Sequence, residues 1–310
     1  MRTLALLASF FLFLLSATGY AASTMPEAKI TKINDRVYAL LGPVGLPDKH
    51  NQGYMVNSTV IIGDKGVILI DTGFTDVVGN HIKKAVAKIS PKPITHIINT
   101  HHHGDHHLGN VAFPGAEIIS AAQCKELVEK TGHEWVALAE NMIGQKFPNT
   151  KPVPASVTFK EDSTNDKIIN GVKLVLWVPK GSHTPGDLLV YLPDDKVLVG
   201  GDVIVHHTPP NMRDGFIRNW IDTLKKSQQF DAKTIVPGHG PLMTKADVAK
   251  LHDLLAKFYA QVEAGYKKGL SDSEIRKTLD LREWKKLGRM EETMGGNISR
   301  AYLEAEAANF

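Results

Sequence analysis

Short apolar strands and polar turns alternate with helical segments along most of this chain. Two apolar runs on either side of a Gly-Asp-Lys-Gly turn predict a buried hairpin over residues 59–71. A helix capped by Thr75 or Asp76 and ending near residue 89 separates this hairpin from an apolar strand at 94–99. Further strands are predicted at 30–41 (a hairpin), 172–178, 188–192, 197–199 and 234–236. Strands that alternate with helices favour an α/β fold.

The pattern becomes wholly helical after residue 243. Capping-box sequences begin two of these helices, at Thr244-x-x-Asp247 and Ser271-x-x-Glu274. We therefore expect an α/β domain over residues 23–243 and a C-terminal helical extension over residues 244–310. Within the α/β domain, helical stretches are predicted near 120–130, 133–143 and 216–230, and a proline-bearing loop at 148–157.

The first 22 residues have the pattern of a secretory signal peptide. Arg2 is their lone charge, residues 4–17 form an uncharged apolar run, and the small residues Gly19 and Ala21 follow. The run of 14 residues is shorter than the roughly 20 that span a bilayer. We expect an exported, periplasmic protein without a stable membrane anchor, and an uncleaved N-terminal anchor is the alternative.

Composition narrows the class of partner. The chain has 310 residues, of which 43% are hydrophobic and 22% charged, and its formal net charge is only +3. This composition is that of a globular protein, and the near balance of charge argues against a nucleic-acid partner. The single cysteine, Cys124, cannot form an internal disulfide, and its place in an amphipathic helical pattern predicts a buried structural thiol.

Histidine is the unusual residue, because 14 occur and five of them lie within residues 101–107. His101, His103, Asp105 and His106 form the pattern H-x-H-x-D-H directly after the predicted strand at 94–99. Alternate residues of such a loop point the same way, so His101 and His103 can share one metal while Asp105 and His106 turn toward a second. Imidazole and carboxylate together suit zinc. A histidine-rich surface loop is the alternative.

Three later residues weaken that alternative. His183, Asp202 and His239 each follow a predicted strand and lie in a glycine-bearing turn. Catalytic and binding side chains commonly emerge at such positions. Five histidines and two aspartates are enough for two metals with open positions for water, and packing does not explain seven such residues at strand ends.

The motif from Thr100 to His106, followed by a lone histidine, a lone aspartate and a terminal Pro-Gly-His-Gly, resembles the metallo-β-lactamase-fold hydrolase superfamily over residues 28–245. The resemblance implies a four-layer αβ/βα sandwich with a dinuclear metal site at one edge. It implies a first metal held by His101, His103 and His183, and a second held by Asp105, His106 and His239, with Asp202 as the bridge between them. It also implies that Asp71 orients a ligand histidine.

Asp202 indicates which branch of the superfamily the chain is similar to. A bridging aspartate is similar to glyoxalase II, lactonases and related hydrolases, whereas zinc β-lactamases typically have cysteine or a non-ligand serine there. Flavo-diiron proteins have glutamate in place of His103, and persulfide dioxygenases bind one iron, which the full second ligand set disfavours. Glyoxalase II is mostly intracellular, so the export signal favours an exported zinc metallohydrolase.

These features predict an exported metal-dependent hydrolase with two Zn²⁺ per chain, with iron or manganese as possible replacements. Two cations would lower the pKa of a shared water from about 16 toward 7, and the resulting hydroxide would attack an ester, thioester, lactone or amide carbonyl of a small acyl substrate. Asp105 would relay a proton to the leaving group. A periplasmic β-lactamase, an iron-dependent sulfur or redox enzyme, and a non-catalytic zinc-binding module are the alternatives.

The sequence says less about the surroundings of the predicted metal site. We expect the pocket rim to come from residues 42–54, residues 143–156 and the helical extension. His102 and His107 are expected to be solvated or to support neighbouring ligands, and His206 or His207 could face the pocket.

Overall fold

Two β-sheets lie face to face in the computed structural model, which describes residues 25–309. The strands of the first sheet follow one another in chain order: β1 (Lys29–Lys32), β2 (Val37–Leu41), β3 (Ser58–Ile62), β4 (Val67–Ile70), β5 (Ile94–Ile98), β6 (Glu117–Ala121) and β7 (Val157–Phe159). The second sheet has the order β12 (Thr234–Pro237), β11 (Val197–Gly201), β10 (Leu189–Leu192), β9 (Val172–Val178) and β8 (Ser163–Ile169). The predicted signal peptide lies outside the described residues.

Strand direction places the loops that carry the candidate ligands at one edge of the sandwich. In the first sheet β1 to β4 are antiparallel and β4 to β7 are parallel, so β4 and β5 end on the same side. In the second sheet β9, β11 and β12 run in one direction. Leu188 N donates to Thr100 O at 2.7 Å, which joins the loop after β9 to the loop after β5.

The central strands consist mainly of apolar residues because both faces of each sheet are covered. Ile68 and Ile70 of β4 pack against the second sheet, whereas Val67 and Leu69 pack on the outer side, where Ile82 of the helix α1 (Asp76–Ile89) covers them. All four side chains of β4 are almost completely buried. Full burial of one such side chain contributes about 1.5–3 kcal/mol, so this strand is a major source of stability.

Helices form the outer layers of the sandwich and the C-terminal extension. The remaining helices are α2 (Gly104–His107), α3 (Ala122–Ile143), α4 (Ile217–Ser227), α5 (Lys245–Lys267), α6 (Asp272–Thr278) and α7 (Met290–Ala308). Side chains of α4, α5 and α7 share one apolar cluster with the second sheet, centred on Trp220, Leu255 and Phe258. The predicted α/β sandwich with C-terminal helices is confirmed.

Three helices begin at capping residues that the sequence predicts. Thr75 caps α1, and the capping boxes of Thr244 with Asp247 and of Ser271 with Glu274 both form. Cys124 is buried, and this burial raises the pKa of its thiol to about 12. Among residues 25–309, no helix combines the length and the apolar character needed to cross a membrane.

Two local expectations were wrong. The two helical stretches at 120–130 and 133–143 are one continuous helix, α3, because Gly132 is needed for packing and does not break the helix. A Cβ atom at Gly132 would lie 2.5 Å from the Cβ of Pro152. Strands β6, β7 and β8 were not predicted. The end of β6 lies where the sequence predicts a helix from residue 120, β7 has only three residues, and β8 is an exposed edge strand whose mostly polar residues carry no apolar signal.

Candidate metal centre

The loops after four strands, β5, β9, β11 and β12, bring all seven predicted ligands together at one edge of the sandwich. Nitrogen atoms of His101, His103 and His183 lie within 4.8 Å of one another, and the His103 Nδ1 to His183 Nε2 distance is 3.0 Å. A second group is formed by Asp105, His106 and His239, and the Asp105 Oδ2 to His239 Nε2 distance is 3.1 Å. The chain therefore offers two sets of three donors.

Asp202 lies between the two sets. Its Oδ1 is 3.4 Å from His106 Nε2, and its Oδ2 is 3.4 Å from His239 Nε2 and 3.7 Å from His183 Nε2. The neighbouring backbone leaves room for this carboxylate because residue 238 is glycine, where a Cβ would collide with Asp202 Oδ1. In this position the carboxylate of Asp202 can contribute a ligand to a metal ion held by either set.

Hydrogen bonds fix how four of the five histidines face the centre. His183 Nδ1 donates to Asn211 O at 3.1 Å and His239 Nδ1 donates to Met55 O at 3.0 Å. His106 Nδ1 lies 2.8 Å from Asp71 Oδ2, and His103 Nε2 lies 3.0 Å from Asp214 Oδ2. Because carbonyl and carboxylate oxygens only accept, these nitrogens carry the protons and the opposite nitrogens present lone pairs to the centre.

The donor atoms fit a metal ion. His101 Nε2, His106 Nε2 and Asp202 Oδ1 are buried and have no hydrogen-bond partner among the described residues. Buried polar atoms normally have a hydrogen-bond partner. Three buried acceptor atoms that point to the same place without a hydrogen-bond donor therefore indicate a cation site. Imidazole and carboxylate are ligands that suit zinc, and iron also takes them.

The two sets differ in electrostatic character. Burial lowers the pKa of His183 to about 3 and holds the pKa of His101 far below its usual value, so both imidazoles are neutral. Burial also opposes the charged form of His239, but the carboxylates of Asp202 and Asp105 outweigh it and raise its pKa to about 10. The first set therefore presents neutral imidazoles, whereas His239 of the second set holds a proton that a bound metal ion would displace.

Asp71 has the position that the resemblance implied. It follows β4 directly, has a left-handed backbone with φ of 60°, and is buried. Its carboxylate accepts from Thr100 N at 2.9 Å, from Thr100 Oγ1 at 2.8 Å and from His106 Nδ1 at 2.8 Å. One buried carboxylate thus holds both the start of the histidine loop and the ring of His106.

Asp214 is a supporting residue that the sequence did not reveal. It lies just before α4, and its Oδ2 accepts from His103 Nε2 at 3.0 Å and from Arg213 Nε at 3.2 Å. Asp214 is 111 positions from His103 and belongs to no recognisable motif, so no local pattern pointed to it. The pKa of the Asp214 carboxyl is low mainly because His103 donates a hydrogen bond to it, and the charge of Arg213 contributes less.

We expect Asp214→Asn to weaken metal binding at the first set by about 10- to 100-fold, the usual effect of losing an outer partner of a ligand histidine. An amide is a weaker acceptor for the His103 proton than a carboxylate, and it leaves Arg213 unpaired. Competition for zinc with a chromogenic chelator measures the change. Asp222→Asn, on the exposed side of α4, is the matched control. An unchanged affinity in Asp214→Asn would make Asp214 only a surface partner of Arg213.

The four remaining histidines near the motifs do not face the centre. His102 and His107 are 6% and 0% exposed, so of the two roles expected for them solvation is excluded and support of neighbouring ligands remains. Burial lowers the pKa of each to about 3, and the His102 ring packs 4.9 Å from the ring of His103. His206 and His207 line a separate cleft against α5 and do not line the cavity over the centre.

A cavity of about 220 Å³ opens over the candidate ligands. Its apolar lining comes from the loop before β3, the loop after β4, α3 and the segment after Asp202. The residues are Val44, Leu46, Pro47, Met55, Phe74, Trp135, Leu138, Met142, Val205 and Pro209. The helical extension contributes Arg289 and Thr293, as expected. Residues 143–156 do not line it, because Phe147 is buried in a cluster with Ile143 behind Phe74.

Known proteins share this fold and part of this sequence. The chain is 25% identical over 258 residues to a linear primary-alkylsulfatase from Pseudomonas sp., a match that covers 70% of this chain and 48% of that protein, so the chain spans about half its length. A metallo-beta-lactamase structure from Pontibacter korlensis aligns with a TM-score of 0.59 and 23% identity over 74% of this chain and 99% of that chain. A stereoselective inverting sec-alkylsulfatase from Pseudomonas sp. aligns with a TM-score of 0.67 and 18% identity over 89% of this chain and 50% of that chain. Residues 51–239 match the Metallo-beta-lactamase superfamily, and the chain belongs to that superfamily of metal-dependent hydrolases.

Proposed function

We propose that this protein is an exported hydrolase that holds two zinc ions and cleaves an ester, thioester, lactone or amide bond in a small acyl substrate. The position of Asp202 between two three-donor sets is the observation that carries the proposal. His101, His103 and His183 would hold the first ion, Asp105, His106 and His239 the second, and Asp202 both.

The residues of the cavity suit hydrolysis of a carbonyl bond. The metal ions, when bound, supply Lewis acidity and make water acidic enough to be a nucleophile near neutral pH. Asp105 lines the cavity, and its pKa is held low because the charges of His106 and His239 outweigh the effect of burial. The Asp105 carboxylate is therefore ionised, and in the proposed reaction it relays a proton to the leaving group. Phe74, Trp135 and Val205 exclude bulk water from the reacting bond.

Metal analysis tests the dinuclear assignment. We expect two zinc ions per chain after saturation with zinc and dialysis, measured by plasma mass spectrometry. His239→Ala should remove only the second ion, because His239 belongs to one set. A stoichiometry of one under saturating zinc, or high occupancy by iron alone with a visible absorption band, would contradict the assignment and favour the redox alternative.

The substrate class is tested by a panel on the zinc-loaded protein. We expect lactones, esters or thioesters to be hydrolysed about a hundredfold better than β-lactams, a difference of about 3 kcal/mol. Asp202 places negative charge beside His106 and His239, which disfavours the negative charge that develops on a departing β-lactam nitrogen. Higher kcat/KM values for penicillin and a carbapenem than for every lactone and thioester would reject this preference. If no chelator-sensitive turnover occurs at all, the protein is a metal-binding module.

A sulfate ester is the second candidate substrate. The alkylsulfatase from Pseudomonas sp. acts on such esters according to its name, and the guanidinium of Arg213 lines the cavity of this chain. Arginine binds sulfate oxygens through paired donors. Release of inorganic sulfate from an alkyl sulfate, at a kcat/KM above that of every carboxylic ester, would favour this candidate over the first.

Export is supported by the sequence alone. Arg2, the apolar run at 4–17 and the small residues Gly19 and Ala21 support the cleavage of a leader of about 21 or 22 residues. Intact-mass measurement of the protein recovered from the periplasm tests this proposal. A mature species that still contains Arg2 would favour the uncleaved anchor.

A further inference from the structure

Exposed apolar side chains are concentrated at the mouth of the cavity. Seven large hydrophobic residues are exposed among residues 25–309, and three of them line this cavity: Val44, Leu46 and Met142, at 50%, 44% and 38% exposure. Exposed apolar surface beside a polar centre is typical of a binding site for an apolar ligand group. The stretch of residues 44–47, which we call the wall loop, supplies two of these three side chains and one side of the cavity.

Arg289 ties the wall loop to the helical extension. Its Nη1 donates to Gly45 O at 2.8 Å, across a separation of 244 positions in the chain. Its Nε and Nη2 donate to Glu292 Oε2 at 3.0 and 2.6 Å, in the first turn of α7. The guanidinium is therefore engaged on two sides, between the loop and the helix. Asn51 Nδ2 holds the adjacent carbonyl of Leu46 at 2.6 Å.

The backbone at Arg289 supports a specific role. This residue caps α7 in a left-handed conformation with φ of 65°, which favours glycine and costs free energy for a residue with a side chain. The hydrogen bonds that its guanidinium donates to Gly45 and Glu292 can offset this cost. Arg289 and Gly45 both lie outside residues 51–239, the part of the chain that matches the superfamily. The tie therefore joins two segments that lie outside the region matched to the superfamily.

We propose that Arg289 is a positioning residue that holds the wall loop over the cavity and thereby restricts the substrate to a short apolar acyl chain or a single ring. The restriction to an acyl group rests on the proposed function. The cavity of about 220 Å³ fits this size, because an engineered cavity of about 150 Å³ in another protein accommodates benzene. With the tie removed, the hydrogen bond from Asn51 to Leu46 O and the packing of Pro47 remain, and the side of the cavity formed by Val44 and Leu46 can move outward.

Two variants separate this role from general stability. Arg289→Gly removes the side chain and suits the left-handed backbone, so the fold is retained. Arg289→Lys keeps the charge and one donor toward Gly45 but cannot also bind Glu292. Arg276→Ala is the matched control, because Arg276 pairs with the neighbouring Glu291 at 3.7 Å on the same helical extension and does not line the cavity.

Hydrogen–deuterium exchange tests the tie without any substrate. We expect the peptide covering residues 42–52 to exchange about tenfold faster in Arg289→Gly than in the wild type, with Arg289→Lys between them and Arg276→Ala unchanged. Equal exchange in Arg289→Gly and the wild type would overturn the proposal, whatever the enzyme's substrate proves to be.

A series of p-nitrophenyl esters from acetate to dodecanoate tests the size limit. In Arg289→Gly we expect the ratio of kcat/KM for octanoate to that for butyrate to rise about tenfold, an amount that one methylene group is worth in a hydrophobic pocket. KM for butyrate should rise while kcat stays constant, because the reacting groups are untouched. An unchanged chain-length profile would reject the size limit. If the wild type hydrolyses none of these esters, the proposed substrate class fails and the size limit fails with it, while the exchange experiment still decides the tie.

Discussion

Replacing Asp202 with alanine is expected to remove both metal ions and to lower kcat/KM by about a thousandfold, a loss of about 4 kcal/mol. Asp202 lies near both donor sets, at 3.4 Å from His106 and from His239 and 3.7 Å from His183. Without Asp202, the two sets would keep Asp105 as their one carboxylate ligand, so less negative charge would offset the repulsion between two bound metal ions. Zinc content and ester hydrolysis, measured on the same preparation, check the expectation.

The control for this variant is Asp194→Ala, which removes an exposed carboxylate from the turn before β11. It should leave zinc content and hydrolysis unchanged. Circular dichroism on both variants shows whether the sandwich is intact. Two tightly held zinc ions in Asp202→Ala would show that the two sets bind independently, and Asp202 would then not be a bridge.

Replacing Asp71 with asparagine is expected to block the second metal while leaving the fold in place. The carboxylate of Asp71 accepts three hydrogen bonds from Thr100 and His106, and asparagine has nearly the same shape with one oxygen exchanged for an NH₂ group. If the NH₂ group faces His106, the ring must accept at Nδ1 and carry its proton on Nε2. That proton occupies the atom that faces the metal, so binding of the second ion should weaken by about 100-fold.

The opposite orientation of the asparagine does not rescue the site, because its NH₂ group would then face the backbone N–H of Thr100. Isothermal titration with zinc shows whether the weaker step is the second, as expected, or the first. Asp71→Ala should in addition lower the free energy of unfolding by about 3–5 kcal/mol, because it removes a buried ionic partner. Asp35→Asn, at an exposed hairpin turn, is the control. Normal binding of two zinc ions in Asp71→Asn would contradict the role assigned to Asp71.

Much of the architecture could be predicted because its signals are local. The apolar run of β4 predicts a strand covered on both faces, and Thr75, Thr244 and Ser271 mark helix starts through their own side chains. The same holds for H-x-H-x-D-H, because one tight loop after β5 carries four of the candidate ligands. Strand β8 was missed for the same physical reason, since an exposed edge strand needs no apolar pattern.

The features that could not be predicted depend on which distant segments the two sheets bring together. Asp214 supports His103 across 111 positions, and Arg289 reaches Gly45 across 244, and neither pairing follows any period of helix or strand. The burial of His102 and His107 could not be deduced either, because adjacent histidines of one loop look alike in sequence.

Local signals along the chain identify most of the core strands, the starts of three capped helices and the seven candidate ligands, because each of these is marked by residues within one turn or one strand. Contacts between distant segments decide the distances that separate these ligands from Asp202, the pairing of His103 with Asp214, and which loop and helix enclose the cavity. These are properties of packing between the two sheets and the helical extension, and their energies depend on distances between atoms that lie far apart along the chain.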